Sequence, residues 1–164
     1  MSGQDDLTAV ARTILDGNLY MTLGTADEDG TPWVSPVYYA TADYTDFYWI
    51  SMPEARHSRN IARRPQVSMV VFDSTVPPYT GQAVSMSAVA AEVVGGDLET
   101  GLAIYPGAPE RGAGPVTAEH VSRPAAYRLY RATVSEHFVI CPRDAGLPCA
   151  LHGIPADHRT TVTP

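Results

Sequence analysis

The sequence predicts a mainly β protein, an antiparallel barrel of about six strands with a few short helices. Three observations carry this expectation. Runs of aromatic and β-branched residues recur at hairpin spacing. Turn signals such as Asp29-Gly30 and Asp43 to Asp46 separate them. Apolar residues at helical spacing are confined to short stretches. Nine tyrosines in 164 residues suit a pleated surface. Closely spaced hairpins favour a barrel over a sandwich. The chain is read as a single domain, with a core over about 19–140 and an irregular tail over 142–164.

The elements follow in order. An opening helix spans Asp5 to Asp16, where Leu7, Val10, Ala11, Ile14 and Leu15 line one face and Gly17 ends it. Leu19 to Thr25 is a strand, and 26–31 is its turn. Pro32 to Ala42 is the return strand, with Pro36 requiring an edge or a bulge. Phe47 to Ser51 is the third strand. A helix over Pro53 to Arg64 then crosses the barrel's mouth, and Pro65 stops it. Gln66 to Asp73, rich in Val and Met, reads as a strand buried on both faces. A Pro77-Pro78 loop leads to a long strand, Gln82 to Val94, built of Ala, Ser and Val. Its small residues offer a flat surface to something flat or to a second subunit. Gly95-Gly96 breaks it. A short helix is expected over Asp97 to Tyr105, a mobile Gly/Pro loop over Pro106 to Pro115, and a helical turn over Thr117 to Val121. Ala126 to Ile140 is the last long strand.

Composition narrows function. Apolar residues make up 45% and charged residues 18%, the proportions of a soluble globular protein. A net charge of -7 disfavours nucleic acid and anionic membranes as partners. No apolar run approaches the roughly 20 residues needed to cross a bilayer. The polar, acidic start Met1 to Asp6 is no secretory signal, so a cytoplasmic location is expected. Cys141 and Cys149, with seven residues between them, match no familiar zinc spacing and read as structural or incidental. His120, His137, His152 and His158 show no metal spacing either, so no metal is expected. The chain has no lysine, which excludes Schiff-base catalysis by its own side chains.

The stretch that carries chemistry is 56–65. All eleven basic residues are Arg, and four of them, Arg56, Arg59, Arg63 and Arg64, fall here, directly behind the strand 47–51. In an acidic chain that concentration suits an anion. A helix N-terminus supplies N–H donors and a favourable dipole for a phosphate, and guanidinium groups add forked hydrogen bonds. The ordinary alternative is a solvated helix face bearing arginines.

This order of elements, and above all Trp49 to Ser68, resembles the pyridoxamine 5'-phosphate oxidase-like family of FMN-binding split barrels. The similarity covers about Leu19 to Val94. Family members carry a strand, a small residue, two basic residues, an Asn or Gln near a Leu or Ile, and a Pro opening the next strand. The resemblance implies a homodimer with FMN in the cleft between subunits. It places Arg56 and His57 at the two phosphate-binding basic positions, His57 standing where Lys is common. It places Ile50 and Ser51 against the flavin and its phosphate, puts Ser35, Pro36 and Val37 on the strand edging the ring, and sets Gln82 where a Gln reaches the cofactor.

The departures imply a different substrate. The oxidase itself has a basic residue where Ser35 stands, a substrate-binding Lys near Ala40, and a C-terminal stretch with Arg and His, whereas the tail here has Leu151-His152-Gly153 without the basic context. The expectation is therefore an FMN-dependent oxidoreductase acting on a small molecule other than pyridoxamine phosphate, with Arg59 supplying part of the phosphate charge. A deazaflavin-dependent reductase of the same fold is the nearest alternative, and a non-enzymatic flavin or haem carrier the next. In flavin enzymes the redox chemistry belongs to the cofactor. No catalytic residue is assigned from the sequence.

Overall fold

The computed structural model describes residues 3–78, 80–142 and 146–164. Met1 and Ser2 of the expected polar start, Tyr79 beside the expected Pro77-Pro78 loop, and 143–145 of the expected tail lie outside the described residues. Helix α1 (Gly3–Gly17) is followed by β1 (Tyr20–Ala26), β2 (Pro32–Tyr38), β3 (Ala40–Thr41), β4 (Asp46–Ser51), α2 (Arg56–Arg63), β5 (Gln66–Phe72) and β6 (Ala83–Glu92). Then come α3 (Asp97–Ile104), a 3-10 turn at Pro109–Arg111, α4 (Ala118–Val121), β7 (Arg128–Ile140) and β8 (Arg159–Val162). The sheet is antiparallel, in the order β2-β1-β5-β6-β7-β4-β3, with β8 pairing β7. It curls so that β2 comes back against β4 without a ladder between them. That seam is the split of the barrel.

Six of these strands are those read from the sequence, and β3 and β8 are short additions. The expected return strand breaks after Tyr38. Pro36 sits on β2, the edge of the sheet, where a missing N–H costs no ladder bond. In the tight β1–β2 turn, Asp27 Oδ1 accepts the N–H groups of Asp29 and Thr31, and Gly30 takes φ 87°.

The interior explains the remaining patterns. Met21, Leu23, Phe47, Trp49, Met69, Val71, Val84, Met86 and Ala132 fill the barrel. Trp49 stacks on Tyr130 at 5.7 Å between centroids. Burying each large side chain contributes about 1.5–3 kcal/mol. β4 is covered on both sides. Phe47 and Trp49 face the barrel, while Tyr48 and Ile50 join a second cluster with Val93, Tyr105, Val121 and Leu129, roofed by α3 and α4. The unbroken run Phe47 to Ile50 thus reflects two-sided burial.

β5 differs from expectation: it alternates, with Val67, Met69 and Val71 inward and Gln66, Ser68 and Phe72 exposed. Its outward face is continuous with those of β1 and β6. Leu7, Ala11 and Leu15 of α1 pack onto the barrel, and the buried Tyr39 hydroxyl donates to the Leu15 carbonyl at 2.6 Å. The Gly/Pro loop expected to be mobile is tied down by Arg111. Its guanidinium donates to the carbonyls of Asn18 at 3.1 Å and Tyr39 at 2.9 Å and lies over the rings of Tyr38 and Tyr39. Among the described residues no helix is long and apolar enough to cross a membrane.

Candidate cofactor site

α2 closes the seam. The helix starts at Arg56, three residues beyond Pro53, and its N-terminus has no side-chain cap. Uncapped N–H groups there are available to an anion. The helix is anchored from inside: buried Asn60 Nδ2 donates to Thr25 Oγ1 at 3.0 Å, and Thr25 Oγ1 donates to the Trp33 carbonyl at 3.3 Å. Ile61 adds an apolar contact to the main core. Asn60 is the Asn of the recognised stretch, and its role here is to fix the helix on the β1–β2 hairpin.

His57 is the centre of the site. Its Nε2 lies 2.7 Å from Ser51 Oγ on β4, and its Nδ1 lies 3.1 Å from Ser35 Oγ on β2. One imidazole therefore joins the two strands that the sheet leaves unpaired. Ser51 shares the inward face of β4 with Trp49, and Ser35 shares that of β2 with Val37. Three of the residues singled out from the sequence, Ser35, Ser51 and His57, thus converge.

Arg56 stands beside them. Its guanidinium lies over the Trp33 ring at 4.5 Å and 3.7 Å from Asp27 Oδ2. Asp27, Glu28, Arg56, Arg59, Asn60 and Arg63 line a cleft of about 290 Å³. Arg63 pairs with Glu28 at 2.7 Å, and Arg59 donates to the Glu54 carbonyl. Both members of the Arg63–Glu28 pair are about two-thirds exposed, so it adds little stability. Asp27 and Glu28 of the hairpin turn thus offset part of the charge of Arg56 and Arg63, and Arg56 is the first residue of the helix. On the other flank of α2, Ser58, Ile61, Ala90, Ala91 and Tyr130 help line a cavity of about 350 Å³.

The other sequence-derived positions are placed as follows. Pro36 is exposed on the outer side of β2, and the Val37 side chain is in the core, so only its backbone edge is free to meet a ring. The Ile50 side chain packs in the second cluster, so its contribution is limited to backbone. Gln82 is remote within the chain. Ser35, Leu23, Met69 and Met86 lie in line across the sheet, and Gln82 is four residues before Met86, about 13 Å along the strand. Its Oε1 is buried without a hydrogen-bond partner. Trp33 and Asp27 were not singled out by the sequence reading, because their partner Arg56 is distant in the chain.

Burial lowers the pKa of His57 below the ordinary imidazole value, so the neutral ring is favoured. His137 is lowered in the same way, although the Tyr44 carbonyl that accepts its Nε2–H at 2.7 Å works in the opposite direction. The sign for stability follows. The unfolded chain accepts these protons near pH 6.5, as a free imidazole does, and the folded chain resists them. Stability is therefore full above about pH 6.5 and falls as pH drops toward the folded values. Melting temperatures between about pH 8 and pH 5 should show this decline, and His57→Gln with His137→Gln should flatten it. An unchanged slope in the double variant would contradict the assignment.

The barrel is split between β2 and β4, and the basic helix α2 bridges the split through His57. The chain belongs to the pyridoxamine 5'-phosphate oxidase family, whose model matches residues 7–139. Among solved structures it is similar to a haem-binding protein from Mycobacterium smegmatis, at 21% identity and a TM-score of 0.63, covering 92% of this chain and 55% of that one. It is also similar to HutZ, the haem storage protein from Vibrio cholerae, at 20% identity and a TM-score of 0.60, covering 76% and 87%. An F420 reductase matches at 22% identity and a TM-score of 0.55, covering 77% and 94%. At these identities the likeness is one of fold. The chain spans about half the length of the Mycobacterium smegmatis protein. Comparison with curated sequences finds no match.

Proposed function

We propose that the protein is an FMN-dependent oxidoreductase acting on a small organic molecule other than pyridoxamine phosphate. The observation that carries this reading is the convergence of Ser35, Ser51 and His57 at the uncapped start of α2, with Arg56 held over Trp33. The donor set fits a phosphate monoester: two hydroxyls, an imidazole, a guanidinium and backbone N–H groups at a positive helix end. When bound, the flavin supplies the hydride or electron chemistry. The chain's residues bind and orient it. Arg56 and α2 would hold the phosphate, the backbone edge of β2 would meet the ring, and Trp33 would support the Arg56 guanidinium that lies over it.

The cavities on either side of α2 are near the lower end of the roughly 300–1,000 Å³ range for ligand pockets, and neither is lined by Ser35, Ser51 or His57. A second copy would complete the flavin site. Gln82 is remote from the seam in its own chain, so under this proposal it would meet the cofactor of a partner. This homodimer with a shared cofactor is part of the proposal, as is a cytoplasmic location.

The deazaflavin reading keeps the same phosphate seat, and the similarity in fold to an F420 reductase supports it. The haem-carrier reading draws on the similarity to haem-binding proteins. The absorption spectrum of the purified protein separates the three. The expected result is an oxidised-flavin spectrum that bleaches on reduction. A deazaflavin band or a Soret band would replace FMN by the corresponding cofactor, and a colourless protein that binds none of them would overturn the site.

A further inference from the structure

Behind β7, on the face of the barrel toward α1, four side chains meet that the cofactor site does not use. Cys141 follows the last residue of β7, Cys149 and His152 lie in the turn beyond it, and His158 immediately precedes β8. One ligand atom from each lies within 4.8 Å of every other. Cys141 Sγ and Cys149 Sγ are 3.0 Å apart. His152 Nδ1 is 3.6 Å from the first sulfur and 3.5 Å from the second, and His158 Nε2 is 3.2 Å from His152 Nδ1.

We propose that Cys141, Cys149, His152 and His158 form a structural zinc site. A tetrahedral zinc ion bonds sulfur at about 2.3 Å and imidazole nitrogen at about 2.0–2.1 Å. Those bonds set ligand-to-ligand edges of about 3.8 Å for S···S, about 3.6 Å for S···N and about 3.3 Å for N···N. The two sulfur–nitrogen edges from His152 and the nitrogen–nitrogen edge already match, and the two from His158 lie within 4.8 Å. The sulfur pair needs to open by about 0.8 Å, a small side-chain rotation at each Cys.

The surroundings are those of a ligand set. His158 Nδ1 donates to the Ala156 carbonyl at 3.0 Å, which fixes the tautomer and leaves the Nε2 lone pair 3.2 Å from His152 Nδ1. The backbone N–H of His152 donates to Cys149 Sγ at 3.3 Å, a bond that supports a thiolate. Both cysteines are buried, at 2% and 1% exposure. Two thiolates and two imidazoles in a tetrahedron select zinc over hard cations. A disulfide would use the sulfurs and leave two imidazole nitrogens converging on it without a role.

Four protein ligands leave no open position for substrate, so the site is structural. Its mechanical role follows from where the ligands lie. The Cys141 N–H donates to the His158 carbonyl at 3.0 Å, so the ion would clamp the point where β7 and β8 meet. β8 in turn holds α1, through Gln4 Nε2 donating to the Thr161 carbonyl at 2.7 Å. The site lies apart from the cofactor seam and stands or falls separately from it.

The test begins with elemental analysis of protein purified in reductant without added metal. The expected result is one zinc per chain, retained through dialysis. After chelation, cobalt(II) added to the whole protein should give thiolate-to-cobalt charge transfer and the intense visible bands of a tetrahedral ion. Cys149→Ser and His158→Ala should abolish or shift those bands and release zinc. Should a variant fail to fold, the cobalt titration of the unaltered chain decides alone. A metal-free reduced protein that takes up no cobalt would overturn the proposal. So would a native mass two hydrogens short with no thiol reactive after unfolding, the mark of a Cys141–Cys149 disulfide.

Discussion

Arg56→Ala is expected to weaken FMN binding by roughly ten- to a hundred-fold, the equivalent of one charge-assisted contact of about 1.5–3 kcal/mol. The guanidinium stacks on Trp33 and faces Asp27, and its side chain is 40% exposed. Its exposure and its counter-ion both reduce the gain, which places the effect toward the lower part of that range. The same geometry makes a second prediction of opposite sign. Asp27→Asn frees Arg56 from its acidic neighbour and should tighten FMN binding. Because Asp27 Oδ1 also organises the hairpin turn, Asn, which keeps an acceptor oxygen there, is the suitable replacement. Fluorescence titration of both variants reads the two effects. Equal affinity in Arg56→Ala and the unaltered chain would move the phosphate away from the start of α2.

Much of this site was legible before the structure, for a definite reason. Strand, turn and basic helix are consecutive in the chain, so Ser51, Arg56 and His57 had to lie near one another. Ser35 was reachable through the family resemblance alone, since it is 22 residues from His57. Trp33 under Arg56 and Thr25 against Asn60 are pairings made by the fold, and no local pattern announces them. The same limit governed the elements. β1, β2 and α3 followed from turn residues and periodicity. Val67, Met69, Val70, Val71 and Phe72 form a nearly unbroken apolar run, which predicts a strand buried on both faces. The structure leaves Phe72 47% exposed, and a run cannot say which of its faces has a neighbour. β8 escaped because Arg159-Thr-Thr-Val is polar and short, and becomes a strand through its pairing with β7. The cysteines and histidines of the tail escaped because their spacing is irregular. They meet because β8 folds back onto β7, bringing His158 to Cys141.

The open face of β5 leads to the largest expected effect. Directly opposed residues in adjacent strands share a face of the sheet. Val34, Gly24, Ser68 and Ser87 form one outward row across β2, β1, β5 and β6, and Pro36, Thr22, Val70 and Ser85 form the next. Neither row carries a charge. Val34 is 59% exposed, at the edge strand that also bears the expected ring-edging residues. A flat surface of small and apolar residues beside an unpaired strand edge suits close approach by a second copy. Under the proposed two-fold, Ser68→Arg would bring a cation into this face from both subunits at once. Like charges set against each other in an interface cost several kcal/mol, so the dimer dissociation constant should rise by more than about a hundred-fold. The isolated chain should keep its fold, since Ser68 is exposed there. Light scattering should then report monomers at concentrations where the unaltered protein is dimeric, with an unchanged circular dichroism spectrum. FMN should leave with the partner if, as proposed, each subunit completes the other's site. A Ser68→Arg protein that remains dimeric, or a monomer that still binds FMN tightly, would place the interface or the cofactor elsewhere.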